Sequence, residues 1–329
     1  MITQTFEQIP ETKDFTPDDF AEVERIYQDS INQNIKAFNE DIKGTLERIY
    51  KISAIRQVKE EKDRQIKHEN KLKELIQLPL SPYPDITRII SNDMARSALF
   101  SAIQGADRKL LEKQVLATID GIEIIFTGRQ LNQDDHDLLM QLVHIAKDKP
   151  FGEVITVPAN AILAGLGQGK GGKDHEELKI KMERLLTPLI ALKNTRTKIT
   201  YYGHIIDKAI QDETKKHWVY SLNPDLRPLY DTTSFSLIEW QQRRALKRKD
   251  LARWLHSFYS THAQPYPYSV KELHRLSGST TKELWKFREN LKKALDVLIA
   301  IEFFIVGYID KESDLVSVKR TPAPKISKH

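Results

Sequence analysis

Between Phe20 and Leu75 the chain has no proline and one glycine, and three prolines then crowd together at Pro79, Pro82 and Pro84. Apolar residues return at Phe20, Val23, Tyr27, Ile31, Ile35, Phe38, Ile42, Leu46, Ile49 and Ile52, in the three- and four-residue steps of one helical face. The spacing predicts one long amphipathic helix, more than about 80 Å if unbroken at about 1.5 Å per residue. From Lys59 to Glu74 charged residues dominate and only Ile66, Leu72 and Leu75 offer anchors, so this half is expected to stand in solvent as a mobile extension. A dimerising or partner-binding coiled coil is the other reading. Each proline removes an N–H donor and restricts the residue before it, so the helix must stop and residues 77–91 are expected to be a linker.

Beyond the prolines the pattern changes. Ala95 to Ile103, Gln114 to Asp120 and Ile122 to Thr127 read as strands, with Asp120-Gly121 a hairpin turn. Helical spacing covers Gln133 to Lys147. A short strand near Val154 to Val157 leads to a helix after Pro158 and a longer one from Asp174 to about Leu192. Lys198 to Ile206 and His217 to Leu222 alternate as a hairpin. The order then repeats: a strand at Phe235 to Leu237, helices at Arg243 to Tyr259, Val270 to Leu276 and Thr281 to Ile301, and a hairpin from Phe303 to Tyr308 and Leu315 to Val318. Helices followed by a returning hairpin describe a winged helix-turn-helix. The expected fold class is α+β: a helical extension (1–76), the linker (77–91), two tandem winged-helix domains (92–234 and 235–320) and a disordered tail (321–329).

Charge sharpens this outline. The net charge is only +5, yet the segment from Glu239 to His329 holds 18 Lys and Arg against 10 Asp and Glu. A basic end on a near-neutral chain points to a polyanion, most often nucleic acid. The absence of cysteine excludes disulfides, thiolate catalysis and Cys-ligated metal. With no leader-like start and no apolar run approaching about 20 residues, a cytoplasmic protein without membrane association is expected.

No catalytic motif emerges. Gly167 to Lys173 meets the G-x-x-x-x-G-K spacing, but Asp174 stands where a phosphate loop needs Ser or Thr, and the anionic carboxylate would repel phosphate. A nucleotide-hydrolysing enzyme rests on this segment alone; the simpler reading is a turn between two helices whose Lys170 and Lys173 grip a DNA backbone. His136 and His144, like His256 and His262, lack the i, i+4 spacing of a helical metal clamp and are expected to be solvated or capping residues. No metal, cofactor or enzymatic activity is expected.

The Thr281 to Ala300 helix puts Leu284, Phe287, Leu291, Leu295 and Leu298 on one face, which must be core. At about 100° per residue Lys282, Lys286, Glu289 and Lys293 project opposite, with Arg288 and Lys292 on a flank. A helix reading the major groove needs such long donors for guanine or phosphate and an acceptor such as Glu289 for cytosine. The matching helix of the first domain buries Leu178, Met182, Leu185 and Leu189 and carries mixed charge. Lys179, Lys181 and Arg184 are therefore expected to position the backbone more than to read bases. Arg96 is expected to stabilise the first domain.

Pro84-Asp85 through the run Asn92 to Phe100, Thr127 to Asp135, Ala252 to Ser260 and the Arg288 to Leu298 run resemble the TrfA family of plasmid replication initiators, over roughly Gln77 to Arg320. The resemblance implies two winged-helix domains that bind directly repeated origin sites, iterons, as a monomer. It implies help in melting A·T-rich DNA, loading of the host replicative helicase (DnaB) with DnaA, and dimers inactive for initiation. Gln77, Leu78 and Leu80 match the start of the Q-L-x-L-F peptide by which such initiators engage the DNA polymerase sliding clamp, although Ser81 replaces the aromatic. The other DNA-binding reading is a dimeric transcriptional repressor on inverted half-sites.

Overall fold

Thr16 and Asp19 open the first helix by a reciprocal exchange: the Thr16 N–H donates to Asp19 Oδ2 (2.7 Å) and the Asp19 N–H donates to Thr16 Oγ1 (3.3 Å). Pro17 occupies the first helical position, where no N–H is required. In the computed structural model, which describes residues 12–34, 40–119, 121–194 and 200–322, α1 (Pro17–Asn34) is followed by α2 (Glu40–Ile76). The single long helix expected from periodicity is therefore two helices; Ile35 and Phe38 of its apolar stripe lie outside the described residues. Val23 packs with Ala54, Ile55 and Val58, joined by Phe15, Phe20, Ile26 and Tyr27. Lys62 bonds the Asp19 carboxylate (2.6 Å) and the Asp14 carbonyl. The helices thus run antiparallel as a hairpin on the Ala54-Ile55-Val58 stripe, and Ile49 and Ile52 of the expected face stay 55% exposed. These helices make up one unit, Met1–Glu74.

The second unit, Leu75–His329, holds the remaining elements. In chain order they are β1 (Thr87–Ser91), α3 (Asn92–Ala95), β2 (Phe100–Ser101), β3 (Leu110–Leu116), β4 (Ile122–Arg129), β5 (Leu131–Asn132), α4 (Gln133–Ile145), β6 (Ile155–Pro158), α5 (Ala159–Gly165), α6 (Gly172–Leu186), β7 (Leu189–Asn194), β8 (Thr200–Gly203), β9 (Ile206–Asp212) and β10 (His217–Leu222). Then come β11 (Phe235–Glu239), α7 (Trp240–Ala245), α8 (Asp250–Ser260), β12 (Tyr268–Ser269), α9 (Val270–Leu276), α10 (Leu284–Ala300), β13 (Phe304–Ile309) and β14 (Leu315–Arg320). Helix and strand mix as an α+β architecture. Residues 323–329, most of the expected tail, lie outside the described set.

One topology occurs twice. A helix, a short strand, two helices and a hairpin follow one another as α4, β6, α5, α6, β9, β10 and as α8, β12, α9, α10, β13, β14. Both copies close a three-stranded sheet the same way, in the orders β6-β10-β9 and β12-β14-β13. The first copy carries an insertion, β7 and β8, which extends the β3-β4 hairpin into a four-stranded sheet. Each copy has its own core, one built on Leu138, Ile162, Leu178, Met182 and Tyr220, the other on Trp254, Phe258, Phe287, Leu291 and Leu298. The copies are tied by β1, which pairs antiparallel with β11 from Thr87↔Glu239 to Ser91↔Phe235.

Several boundaries differ from the sequence reading. The expected linker is part of the fold: Leu80 (4% exposed) and Tyr83 are core residues, and Arg227 donates to the Leu78 and Pro79 carbonyls (3.2 and 2.9 Å). Ala95 to Ile103 is no continuous strand, because Ser97 Oγ donates to the Met94 carbonyl and accepts from the Leu99 N–H, a local alternative to a ladder. The helix expected to reach Leu192 stops at Leu186, two residues before Pro188, which disfavours helix in the residue ahead of it. Arg243 to Tyr259 is split into α7 and α8 around Arg248, whose φ is 66°. The second hairpin strand of the first copy pairs with β9, while β8 pairs with β7.

Candidate nucleic-acid interface

α9 is capped by Ser269, whose Oγ accepts from the Glu272 N–H (3.1 Å), and is followed by Gly278 with φ 59°. A Cβ at Gly278 would stand 2.6 Å from Ser101 Oγ, so both backbone and space demand glycine in the α9–α10 turn. His274 fixes the turn from inside, its Nε2 bonded to the Thr281 carbonyl (2.8 Å) and its ring edge-on to Phe287. α10 buries Phe287, Leu291, Leu295 and Leu298 completely, which leaves its opposite side no choice but solvent.

That side carries Lys286, Glu289, Lys292 and Lys293, all exposed, as is Lys282 in the segment before the helix. Arg288 is set apart from them. It pairs with Asp314 in the β13–β14 turn, so its guanidinium anchors the hairpin to α10 and is a poor base reader. Leu284, expected in the core, is 37% exposed because α10 begins there and the core face starts one turn later.

The first copy is organised differently. Lys170 and Lys173 are exposed in and just after the α5–α6 turn, and the Gly171 N–H there donates to Asp174 Oδ2 (3.2 Å), which satisfies a donor that a phosphate would need. Lys179 is half-buried and Lys181 is buried. Arg184 is committed to Asp135 (2.7 Å), which also takes Arg108 (3.0 Å). Asp135 is fully buried because it caps α4 by accepting from the Asn132 N–H (3.0 Å), and a buried carboxylate requires such partners. Arg184 is thus already neutralised by a buried carboxylate, and the buried Lys181 is less accessible to a backbone phosphate than Lys170 and Lys173.

Sequence reasoning missed a polar lock between the copies. Arg243, fully buried, donates to Asp137 Oδ1 (2.6 Å), Gln133 Oε1 (2.8 Å) and Ser257 Oγ (3.1 Å). Arg253 donates to Asp134 Oδ1 (2.6 Å) and Asp137 Oδ2 (3.0 Å) and pairs with Asp250. Burial would raise the Asp134 pKa, but the charge and hydrogen bond of Arg253 outweigh it and hold the carboxyl below its ordinary value. Arg96, expected to brace the first domain, instead reaches the second copy at Thr261 Oγ1 (2.7 Å). Arg244, Lys247, Arg248 and Lys249 are exposed, and Arg244 and Lys247 line a cleft of about 370 Å³ together with Asp134, Lys181 and Arg253. Five basic residues within seven positions from Arg243 were the available signal.

Of the four histidines expected to be solvated or capping, His136 and His256 are core residues, His262 is buried while capping the end of α8, and His144 is half-buried. His136 stacks on Phe100 (4.3 Å), His256 sits edge-on to Phe303 (4.3 Å), and His262 bonds the Phe258 carbonyl and Tyr268 hydroxyl. Burial pushes His136 and His256 well below the usual imidazole range and His144 down to about 4. Among the described residues no helix is long and apolar enough to cross a membrane.

Comparison with known proteins supplies the biological setting. The family described as "TrfA protein" matches residues 46–320. The plasmid replication initiator protein TrfA of Escherichia coli is 25% identical over 250 residues, covering 73% of this chain and 64% of that protein. RepFIB replication protein A of Escherichia coli strain K12 is 24% identical over 209 residues, covering 61% and 62%. The chain thus spans just under two thirds of the length of these relatives. Among solved structures, domains 2 and 3 of RctB are similar at TM-score 0.48 and 13% identity, covering 69% of this chain and 98% of that one. The Pi initiator protein in complex with iteron DNA is similar at TM-score 0.44 and 13% identity, covering 58% and 96%.

Proposed function

Since this chain belongs to the TrfA family, we propose that it is a plasmid replication initiator whose two repeated copies are tandem winged-helix domains gripping directly repeated origin sites. The second copy, residues 235–320, reads the sequence, and the first, running from Leu80 to residue 234, steadies the duplex. The observation that carries this reading is α10: its core face is completely buried, and its free face presents Lys286, Glu289, Lys292 and Lys293 after a turn that only glycine fits. Long cationic donors and one carboxylate acceptor suit the major groove, where bases differ in donor and acceptor pattern. Lys170 and Lys173 on the first copy, with Lys282, supply phosphate contacts that add affinity without sequence preference. Origin opening and handover to the host replicative helicase with DnaA rest on family membership alone. Clamp binding through Gln77, Leu78 and Leu80 is not part of the proposal, because Leu80 is core.

Footprinting the purified chain across the replication region of the plasmid that encodes it tests the reading. Protection repeated in the same orientation along one strand is expected; protection of a single inverted pair would replace the initiator with a repressor.

A further inference from the structure

Of the four tryptophans, Trp218, Trp240 and Trp254 are buried and Trp285 is 63% exposed. Trp285 and the partly exposed Leu284 occupy the first two positions of α10. The core face of the helix is complete without them, so this apolar surface does no work in holding the fold. At about 100° per residue Trp285 lies on the same strip as Glu289 and Lys292, with Lys286 beside it and Lys282 just ahead. An apolar protein partner would have to strip water from those ammonium groups. A duplex does not, because phosphates flank its major groove and the groove floor carries an apolar group of its own, the C5-methyl of thymine. In helices that enter this groove, the N-terminal residues meet the base edges.

We propose that Trp285 is a specificity-determining residue that lays its indole against the C5-methyl group of a thymine in the bound site. The proposal rests on α10 being the reading helix, and its test separates the two. The full-length chain first selects its preferred duplex from a pool with a randomised insert. Each thymine of that duplex is then replaced singly by deoxyuridine, which deletes only the methyl group. Wild type should lose about fourfold in affinity at one position, the worth of one buried methyl group. Trp285→Ala should bind the parent duplex more weakly and show no loss at that position, while Trp285→Phe keeps part of it. Cognate duplex should also shield the accessible fraction of tryptophan fluorescence from acrylamide, because the other three indoles are already buried. If the deoxyuridine profiles of wild type and Trp285→Ala coincide while Lys286→Ala weakens binding, the thymine contact is wrong and α10 remains the reader. If neither variant changes binding, both ideas fall together.

Discussion

Arg243 and Asp137 meet at 2.6 Å across the two repeated copies, with the arginine cut off from solvent and also bonded to Gln133 and Ser257. Such a pair fixes orientation as much as it adds stability, since the desolvation of both charges offsets their attraction. Removing one partner is a different matter, because the groups it bonded stay behind. Asp137 would keep Arg253 (3.0 Å), but Gln133 and Ser257 would lose their donor, so Arg243→Leu should lower unfolding stability by about 1 to 3 kcal/mol, and adding Asp137→Leu, which also takes a carboxylate from Arg253, should deepen that loss. Urea unfolding of the two variants checks the pair, and equal losses would show that packing, not charge, sets the joint.

α10 separates packing from recognition on opposite faces. Leu291→Ala should reduce stability by about 2 to 5 kcal/mol, the usual range for truncating a buried leucine. Lys286→Ala should leave the melting temperature within error yet weaken cognate binding by about 1 to 3 kcal/mol and reduce the salt slope by about one charge. Titrations at several salt concentrations, beside thermal melts, give both readouts. A lysine variant that melts early, or a leucine variant that does not, would reverse the two faces.

The elements with strong period were legible in the sequence: α4, α9, α10 and the terminal hairpin fall where spacing put them, because each has one buried face. Boundaries set by single residues were harder. Pro188 ends α6 although its apolar pattern continues through Leu189 into β7, and Ser97 bends the chain where alternation suggested a strand. Long-range partners left no local trace. Asp135 and Asp137 read as ordinary charges at a helix start, and only the fold brings Arg184 to the first and Arg243 to the second. The free face of α10 was visible because amphipathicity is local; the loss of Arg288 to Asp314 was not, because the hairpin turn comes from 26 residues further on.

Leu80 decides between a docking peptide and a core residue. It is buried, and its N–H donates to the Lys147 carbonyl (3.3 Å). Leu80→Ala should cost about 2 to 5 kcal/mol of stability, while Gln77→Ala, on an exposed residue, should stay within about 0.5 kcal/mol. Urea midpoints of the two variants measure this. Titration of the folded chain with a DNA polymerase sliding clamp should show no complex that depends on Leu80; one that forms with the melting temperature intact would put the peptide outside the core.

Acid should weaken the fold already above the ordinary carboxylate range. His136 and His256 are held well below the ordinary imidazole value of about 6.5, first by burial and then by the nearby charge of Arg243. Above that value both the folded and unfolded chains keep them neutral and no stability depends on pH. Below it the unfolded chain takes up protons that the folded one refuses, on these two rings and also on His144 and His262, which burial holds low as well, so stability falls as pH falls, by up to about 1.4 kcal/mol per unit for each ring. Neither ring nitrogen of His256 has a hydrogen-bond partner among the described residues, so His256→Leu removes the titration without breaking a bond. Urea midpoints between about pH 7.5 and 5.5 should drop for wild type and drop less steeply, by roughly a quarter, for His256→Leu. A wild-type midpoint that holds level over that range would mean these rings can be protonated inside the fold.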